Sequence, residues 1–182
     1  CRHRPDAAAA SRIVQCALDS FGKLDGIVNN AGIGCGVGLF EGSFDIARAA
    51  MEVNFLGTFA VSRAFAPILA RNGGGALVNM LSRASWRGAP EFPGYAASKA
   101  AQWSLTNSLR EGLRGQGTLV IGVHASFVDT DLSAAVTASK ISAAAVAEQT
   151  MWALEHNCTE VLADEPTRLA KAALCQSPGA GY

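Results

Sequence analysis

Four short apolar runs alternate with longer segments of helical periodicity along this chain. Turn residues bound each run, and the composition is typical of strands that are buried on both faces. Because a helix separates consecutive strands, the connections must cross over the sheet, which makes the neighbouring strands parallel. The predicted strands are LDGIVNN at 24–30, GALVNML at 75–81, TLVIGVH at 118–124 and TEVLA at 159–163. The alternation predicts an α/β fold, a doubly wound parallel sheet with helices on both faces.

The predicted helices fill the intervals between these runs. We expect Asp6 to cap the first helix and Gly22 to end it, whereas Gly57 and Pro67 should weaken the second helix. No repeat or linker divides the chain, so we predict one domain over residues 1–176 and a frayed tail at 177–182. The predicted helices span residues 6–21, 44–71, 95–114, 142–156 and 166–176.

The composition excludes several classes of protein. Of the 182 residues, 49% are hydrophobic and 16% are charged, which is too little charge for a disordered chain. The 15 basic and 15 acidic residues balance, and the basic residues are scattered, which argues against a nucleic-acid partner. No uncharged apolar run approaches the roughly 18 residues that a membrane-spanning helix needs, so no membrane partner is expected.

The cysteines and histidines indicate neither disulfides nor a metal site. The five cysteines are odd in number and contain no C-x-x-C pair, which is typical of reduced thiols in a cytoplasmic protein. The three histidines have no Cys or second His at ligand spacing, so no metal is expected. We expect His124 to be a partly buried strand residue and Cys35 a loop thiol.

The stretch from 77 to 101 carries the most chemistry. Tyr95 and Lys99 are four residues apart on one predicted helix, so their side chains share a face. A nearby ammonium favours phenolate and lowers the pKa of a tyrosine towards values useful for proton transfer. Ser82 ends the preceding strand and can present its hydroxyl at the carboxyl edge of the sheet, where open α/β folds bind ligands.

A Y-x-x-x-K pair alone is weak evidence for a catalytic site, because a helix often carries a Tyr on its apolar face beside a Lys. Here, however, five segments occur together and in order. They are NNAG at 29–32, VNFLG at 53–57, Ser82, YAASK at 95–99 and VDTDL at 128–132. In this order and spacing the chain resembles the short-chain dehydrogenase/reductase family, and its ending, TEVLADEPTRLAKAAL, resembles a bacterial branch of that family.

The resemblance implies a Rossmann-like fold and an oxidoreductase. The expected reaction interconverts a carbonyl and an alcohol of a small molecule by hydride transfer, with NAD or NADP as the cofactor. The family also implies a homodimer or homotetramer, formed by pairing of the helices at 44–71 and 95–114. The substrate is not indicated, because its pocket is built from variable loops. The choice between NAD and NADP is not indicated either, because the residue that reads the ribose 2′ position belongs to the family's second strand, which is expected to be missing.

The same resemblance assigns catalytic roles. Tyr95 would be the general acid in reduction and the base in oxidation, while Ser82 would hydrogen-bond the substrate oxygen. Lys99 would lower the pKa of Tyr95 and hold the ribose hydroxyls of the nicotinamide nucleoside. Asn54 would interrupt its helix and bind a water that connects Lys99 to solvent.

The family pattern also assigns cofactor contacts. Asn30, Ala31 and Gly32 would line the adenosine side of the cofactor cleft. Val128 and Thr130 would meet the nicotinamide carboxamide. For Asn29 the structural interpretation is favoured, in which its side chain ties the loop to the neighbouring strand. Three aromatic residues either wall a substrate pocket or belong to the core, and the core is the commoner case. They are Trp86, Phe92 and Phe127.

Two features depart from the family pattern. Ala125-Ser126 stands where the family usually has Pro-Gly. The cofactor fingerprint T-G-x-x-x-G-x-G is missing before NNAG, where only one helix precedes the first run. Gly32, Gly36 and Gly38 formally match its glycines, but we reject them as the phosphate loop because no helix follows immediately. The expectation is an N-terminally truncated chain that begins at Cys1 without the first βαβαβ unit, leaving 24–30 as an unpaired edge.

Two hypotheses follow from these departures. In the first, this chain is the catalytic part of a nicotinamide-dependent oxidoreductase whose phosphate site lies outside the given residues. In the second, it is a catalytically inactive fragment or divergent relative that cannot bind cofactor alone and persists through association. Titration of the chain with NADH and NADPH distinguishes the two.

Overall fold

The computed structural model describes residues 7–34 and 36–175. Asp6, Cys35 and the tail at 177–182, on which predictions were made, lie outside the described residues. The helices and strands follow the predicted alternation. The helices are α1 Ala7–Phe21, α2 Phe44–Ala50, α3 Thr58–Arg71, α4 Pro93–Leu113, α5 Ala143–Glu155 and α6 Glu165–Ala173. The strands are β1 Gly26–Asn29, β2 Gly75–Met80, β3 Thr118–His124, β4 Val128–Asp129, β5 Ile141–Ser142 and β6 Glu160–Leu162.

The main sheet has four parallel strands in the order β1-β2-β3-β6. Val78 of β2 packs with Val146 and Ala153 of α5 in one apolar cluster. The next residue, Asn79, points to the opposite face and donates a hydrogen bond to Thr106 of α4 at 2.9 Å. Because successive strand side chains alternate between faces, helices cover both sides of the sheet. The predicted α/β fold is thereby confirmed.

The first strand differs from its prediction. Residues 24–30 were expected to be buried on both faces, but β1 is shorter and its Val28 side chain is 58% exposed. Ile27, on the other face, packs in the cluster that α1 and α3 form. The prediction of burial on both faces was wrong, because the described residues cover only one face of β1. The expectation that 24–30 forms an edge agrees with the strand order, in which β1 is the edge strand of the described sheet.

A π-helical segment, Met51–Gly57, joins α2 to α3. Residues 44–71 were predicted as one helix with weak points at Gly57 and Pro67. The structure has one continuous helical segment. Its π-helical interruption includes both Gly57 and Asn54, where the family resemblance implied an interruption, whereas Pro67 lies inside α3 without ending it. A π-helix adds one residue to a turn and thereby changes the face that the inserted residues present.

The same segment, Phe44–Arg71, is the one stretch in the described part of the chain that is long and apolar enough to cross a membrane. Only the length and composition of the segment support a membrane-spanning helix, and the core helix of a globular protein can have the same length and composition. Here the segment holds the buried polar side chains of Asn54, Thr58 and Ser62, all hydrogen-bonded to neighbouring elements or to their own helix. These contacts favour a helix packed in a globular core.

Parallel strands place all their carboxyl ends at one edge of the main sheet. The pairing continues past β2 at this edge, since Leu81 N donates to Val123 O and Arg83 N to Ala125 O. Just beyond it, β4 and β5 form a two-stranded parallel sheet that the sequence did not predict. Loops after β1, β2 and β3 therefore meet in one place.

Candidate active site

Tyr95 and Lys99 lie on the first turns of α4, above the carboxyl end of β2. The Lys99 Nζ atom lies 5.9 Å from the centre of the Tyr95 ring. Phe92 meets the same ring edge-on, with 6.0 Å between the ring centres. Pro93 stands at the helix start, where its missing N–H costs nothing. The predicted closeness of phenol and ammonium is present in the structure.

The ammonium of Lys99 is buried. Its residue is 5% exposed, and Nζ donates to Met80 O at 2.7 Å and to Gln102 Oε1 at 2.8 Å. Burial disfavours the charged form and lowers the pKa of Lys99 from 10.5 to about 8. With that pKa the side chain is still mostly protonated at neutral pH, so a cation stands beside Tyr95.

Ser82 lies two residues beyond the end of β2 and is also buried. It caps a short 3₁₀ turn at 83–85, where its Oγ accepts the N–H of Ala84 at 3.1 Å. Ser85 Oγ in return accepts the Ser82 N–H at 3.2 Å. The turn holds the Ser82 oxygen by an accepted bond, which leaves the hydroxyl proton able to point at a ligand.

Asn54 occupies the π-helical segment and is fully buried. Its Nδ2 donates to Ile33 O at 3.0 Å and to Ser98 Oγ at 2.9 Å, and its Oδ1 accepts the Ile33 N–H at 2.8 Å. Ser98 Oγ in turn donates to Tyr95 O at 2.7 Å. Asn54 therefore joins the loop after β1 to the start of α4.

The loop after β1 brings Gly32 against both groups. A Cβ atom at this position would lie 3.2 Å from Asn54 Oδ1 and 3.7 Å from Lys99 Nζ. Asn30 and Ala31, like Gly32, are exposed at the carboxyl end of β1. The structure thus brings Gly32, Asn54, Tyr95 and Lys99 together.

The other predicted cofactor residues lie on the loop after β3. Val128 is half-buried in β4, and Thr130 is exposed and donates from Oγ1 to Val128 O at 3.3 Å. Ile141 N donates to Phe127 O at 2.9 Å, so the β4 and β5 pairing sets the course of this loop. Ala125 is buried and Ser126 N donates to Asp164 Oδ2, which ties the unusual Ala-Ser pair to the N-terminus of α6.

His124 is fully buried, more than the sequence predicted. Its ring stacks on Trp86 with 3.8 Å between centres, and Nδ1 lies 3.1 Å from Ser82 O, to which it donates. Burial lowers the pKa of His124 to about 3, and the positive charges of Lys171, Arg110 and Lys99 add to this effect. The imidazole is therefore neutral, and its 3.8 Å approach to Glu160 is no ion pair. Glu160 pairs instead with Lys171 at 2.7 Å.

Two residues of the site were missed from the sequence. Gln102 and Thr58 are buried and hydrogen-bonded to each other at 2.9 Å, and Gln102 also accepts the bond from Lys99. A signal for Gln102 was present, because it lies three residues after Lys99 on the same face of α4. Thr58 carries no such signal, since its place depends on how α3 meets α4.

The glycine motif at 32, 36 and 38 is not a helix entry. After Gly38 the chain makes a turn, and α2 begins only at Phe44, with Ser43 as its cap. In the described residues before β1, α1 is followed by Gly22, whose φ of +71° ends the helix. Among residues 7–34 and 36–175 we therefore find no glycine-rich loop that enters a helix directly after a sheet strand.

Comparison with known proteins gives consistent matches. A sequence model of the family described as short chain dehydrogenase matches residues 4–141. The chain is 38% identical over 124 residues to 11-beta-hydroxysteroid dehydrogenase 1A of Arabidopsis thaliana, covering 67% of this chain and 35% of that protein. The chain spans 35% of that protein's length, and 63% of the length of an uncharacterized oxidoreductase of Staphylococcus saprophyticus to which it is 28% identical over 148 residues, covering 80% of this chain.

Two solved structures resemble the fold. A short chain dehydrogenase from Burkholderia cenocepacia, in complex with NADP, has a TM-score of 0.87 and 31% identity, covering 94% of this chain and 73% of that one. A short chain dehydrogenase/reductase from Burkholderia phymatum, in complex with NAD, has a TM-score of 0.81 and 28% identity, covering 93% of this chain and 71% of that one.

Proposed function

The chain belongs to the short-chain dehydrogenase family, and from this membership we propose that it carries the catalytic centre of an oxidoreductase that interconverts a carbonyl and an alcohol. The observation that carries the proposal is the buried ammonium of Lys99, 5.9 Å from the Tyr95 ring. A cation held in a low-dielectric site beside a phenol serves proton transfer at neutral pH.

Tyr95 moves the proton. In reduction its hydroxyl protonates the carbonyl oxygen, and in oxidation its phenolate takes the proton of the alcohol. A positive charge beside a phenol favours the phenolate, and this is the role that we assign to Lys99. Because Lys99 itself has a pKa of about 8, the cation that supports Tyr95 disappears above that pH.

Ser82 stabilises the reacting oxygen. Its Oγ is held by the Ala84 N–H, which leaves its proton for the oxygen on which negative charge develops. His124 donates to the Ser82 carbonyl and stacks on Trp86 behind it, so the 82–86 turn is supported on its inner side. His124 and Trp86 thereby hold the turn that carries Ser82.

A nicotinamide cofactor, NAD or NADP, supplies or accepts the hydride when bound. The site fits its nicotinamide half, because Gly32 leaves open the space beside Lys99 Nζ that a Cβ atom would fill. Lys99 would hold the ribose hydroxyls, Asn30, Ala31 and Gly32 would line the cleft on the adenosine side, and two further residues would meet the carboxamide. Those two are Val128 and Thr130. The complexes of two similar structures with NADP and with NAD support the choice of a nicotinamide cofactor.

The competing proposal is a catalytically inactive fragment or divergent member of the family, which cannot bind cofactor alone and persists through association. Val28 of the edge strand β1 is 58% exposed, and the described residues provide no glycine-rich phosphate loop. An unpaired apolar edge favours pairing with another chain. This alternative predicts that neither reduced cofactor binds.

The deciding experiment uses the 182-residue chain and, beside it, protein expressed from its complete coding sequence. Titration with NADH and NADPH, followed by fluorescence, is expected to show saturable binding of at least one. Oxidation of that cofactor is then measured with a panel of ketones and aldehydes. We expect Tyr95→Phe to lower kcat about a thousandfold while cofactor binding persists. If neither NADH nor NADPH binds, the inactive alternative is favoured. If the Tyr95→Phe variant keeps full activity, Tyr95 is not the proton donor.

We also propose that the protein is a cytoplasmic, bacterial homodimer or homotetramer. The exposed aromatic side chains of the α2 and α3 segment, Phe44 at 83% and Phe59 at 36%, support pairing of this face with a second copy. Sedimentation equilibrium tests the assembly, and a monomer at micromolar concentration would contradict it.

A further inference from the structure

Gln102 is the immediate polar neighbour of the proposed catalytic lysine. It is fully buried on α4, and its Oε1 accepts a hydrogen bond from Lys99 Nζ at 2.8 Å. Its Nε2 donates to Thr58 Oγ1 at 2.9 Å, and Thr58 Oγ1 donates to Asn54 O at 2.9 Å. The side chains of Gln102 and Thr58 thus connect the ammonium to the backbone of the π-helical segment.

The direction of every bond in this path follows from the ammonium. Lys99 Nζ can only donate, so the Gln102 atom that faces it must be the carbonyl oxygen. The amide nitrogen of Gln102 then faces Thr58 and donates to its hydroxyl oxygen. The Thr58 hydroxyl has one proton, which goes to the Asn54 carbonyl. The amide orientation is therefore determined by its partners.

Two fixed acceptors determine how the ammonium is rotated. Met80 O and Gln102 Oε1 take two of the three N–H groups of Nζ. Because the nitrogen is tetrahedral, holding two N–H directions also sets the third. At most one N–H of Lys99 is left for Tyr95 or a cofactor hydroxyl, and its direction depends on Gln102.

We propose that Gln102 is a positioning residue for Lys99, which orients the ammonium and ties it through Thr58 to the segment that carries Asn54. The inference rests on the proposed function, in which Lys99 supports Tyr95. In the family pattern a water links Asn54 to Lys99, and the side chains of Gln102 and Thr58 form a further path between the two.

The alternative is that Gln102 serves only the fold. The backbone carbonyl of Gln102 accepts the Thr106 hydroxyl at 2.7 Å, and Thr106 Oγ1 accepts Asn79 Nδ2 at 2.9 Å. This buried polar layer continues from Asn79 to Asn29. If the layer matters only for packing, removing the Thr106 hydroxyl should have the same consequences as removing the Gln102 amide.

The pKa of Lys99 also depends on the charged and titratable groups that surround it. Tyr95 faces it from its own helix, and the charge of Lys99 is felt by His124 at the end of β3. The contacts that reach Lys99 and Gln102 from β2 and α3 come from Met80 O and Thr58 Oγ1, which are neutral. A neutral acceptor such as Gln102 favours the protonated amine, so its loss lowers the pKa of Lys99 further.

The test compares Gln102→Met and Gln102→Glu with the matched control Thr106→Val, in protein expressed from its complete coding sequence. The first readout is the pKa of Lys99, measured by NMR of lysine labelled at Cε and Nζ, which requires no turnover. We expect Gln102→Met to lower this pKa by about one unit, Gln102→Glu to raise it, and Thr106→Val to leave it unchanged.

The second readout is the pH profile of turnover. For alcohol oxidation, Gln102→Met should lower kcat about tenfold and move the acid limb of kcat/KM to higher pH, because Tyr95 loses part of its supporting cation. Thr106→Val should keep the wild-type profile. An unchanged profile in Gln102→Met, or the same shift in Thr106→Val, would overturn the proposal.

The two readouts keep the proposals separate. If the wild-type protein shows no turnover, the proposed function fails. The Lys99 pKa values of the three variants, each compared with the wild-type value, still test the role of Gln102. If Gln102→Met does not fold, as judged by circular dichroism, Gln102→Glu decides. A Lys99 pKa that does not rise in that variant would show that Gln102 does not hold the ammonium.

Discussion

The side chain of Asn54 bonds both backbone groups of Ile33, accepting its N–H at 2.8 Å and donating to its carbonyl at 3.0 Å. A side-chain amide used in this way imitates a neighbouring strand, and it holds the loop after β1 where strand pairing has ended. The same amide bonds Ser98 on α4, so the loop and the helix of Tyr95 share one support.

Asn54→Ala is expected to destabilise the fold and to loosen this loop. It leaves the Ile33 backbone groups without their partner in a partly buried place, which costs about 3 kcal/mol of unfolding free energy. We expect cofactor affinity to fall about tenfold as well, because Gly32 loses its fixed position. Urea unfolding and cofactor titration measure the two effects. Asn72→Ala, which removes an exposed bond to Leu24 O, is the control and should cost less than about 1 kcal/mol.

Gly32→Ala should weaken cofactor binding and turnover. The new Cβ atom would lie 3.2 Å from Asn54 Oδ1, tighter than ordinary contact, and 3.7 Å from Lys99 Nζ. We expect about a tenfold loss of kcat/KM, since the Asn54 amide must shift and the loop beside Lys99 shifts with it. Gly36→Ala lies in the same loop with nothing within 4 Å and should retain wild-type kinetics. Equal kinetics for the two variants would show that Gly32 does not border the reacting groups.

Much of the fold and the site followed from residue spacing. The alternation of apolar runs predicted the four strands of the main sheet, and Tyr95 and Lys99 were placed together by their separation of four along a helix. The predicted tie from Asn29 to the neighbouring strand is present as a 2.8 Å bond to Asn79. Such local patterns are set by helix and strand geometry, which the sequence carries directly.

Other features depend on tertiary contacts that spacing does not encode. The π-helical segment at 51–57 follows from how Asn54 reaches Ile33 and Ser98 on two other elements. The two-residue strands β4 and β5 are too short for a periodic signal. The exposure of Val28 depends on which elements pack against β1. The apolar residues around Val28 in the sequence had predicted that it would be buried. The catalytic and cofactor roles of the site residues stay predictions.

His124 should make the free energy of unfolding depend on pH in the acidic range. Its pKa is lowered from 6.5 to about 3, mainly by burial, so between these pH values the unfolded chain binds a proton that the folded chain does not. Stability is therefore lost as pH falls below about 6.5. His124→Asn removes this titration, and its deficit in unfolding free energy relative to wild type should narrow by about 2 kcal/mol between pH 7 and pH 4.5. A constant deficit would place the neutral form of His124 in doubt.

Lys99 should make the free energy of unfolding depend on pH in the alkaline range. Its pKa is lowered from 10.5 to about 8 by burial, so between these values the unfolded chain again binds the extra proton, and stability rises with pH. Relative to Lys99→Met, the wild-type protein should gain about 2 kcal/mol of unfolding free energy between pH 8 and pH 10. Urea unfolding at both pH values measures this gain. Lys23→Met, which removes an exposed ammonium, controls for general effects of alkaline pH. Parallel curves for wild type and Lys99→Met would mean that the ammonium is not desolvated, and the support that it gives to Tyr95 would then have to come from elsewhere.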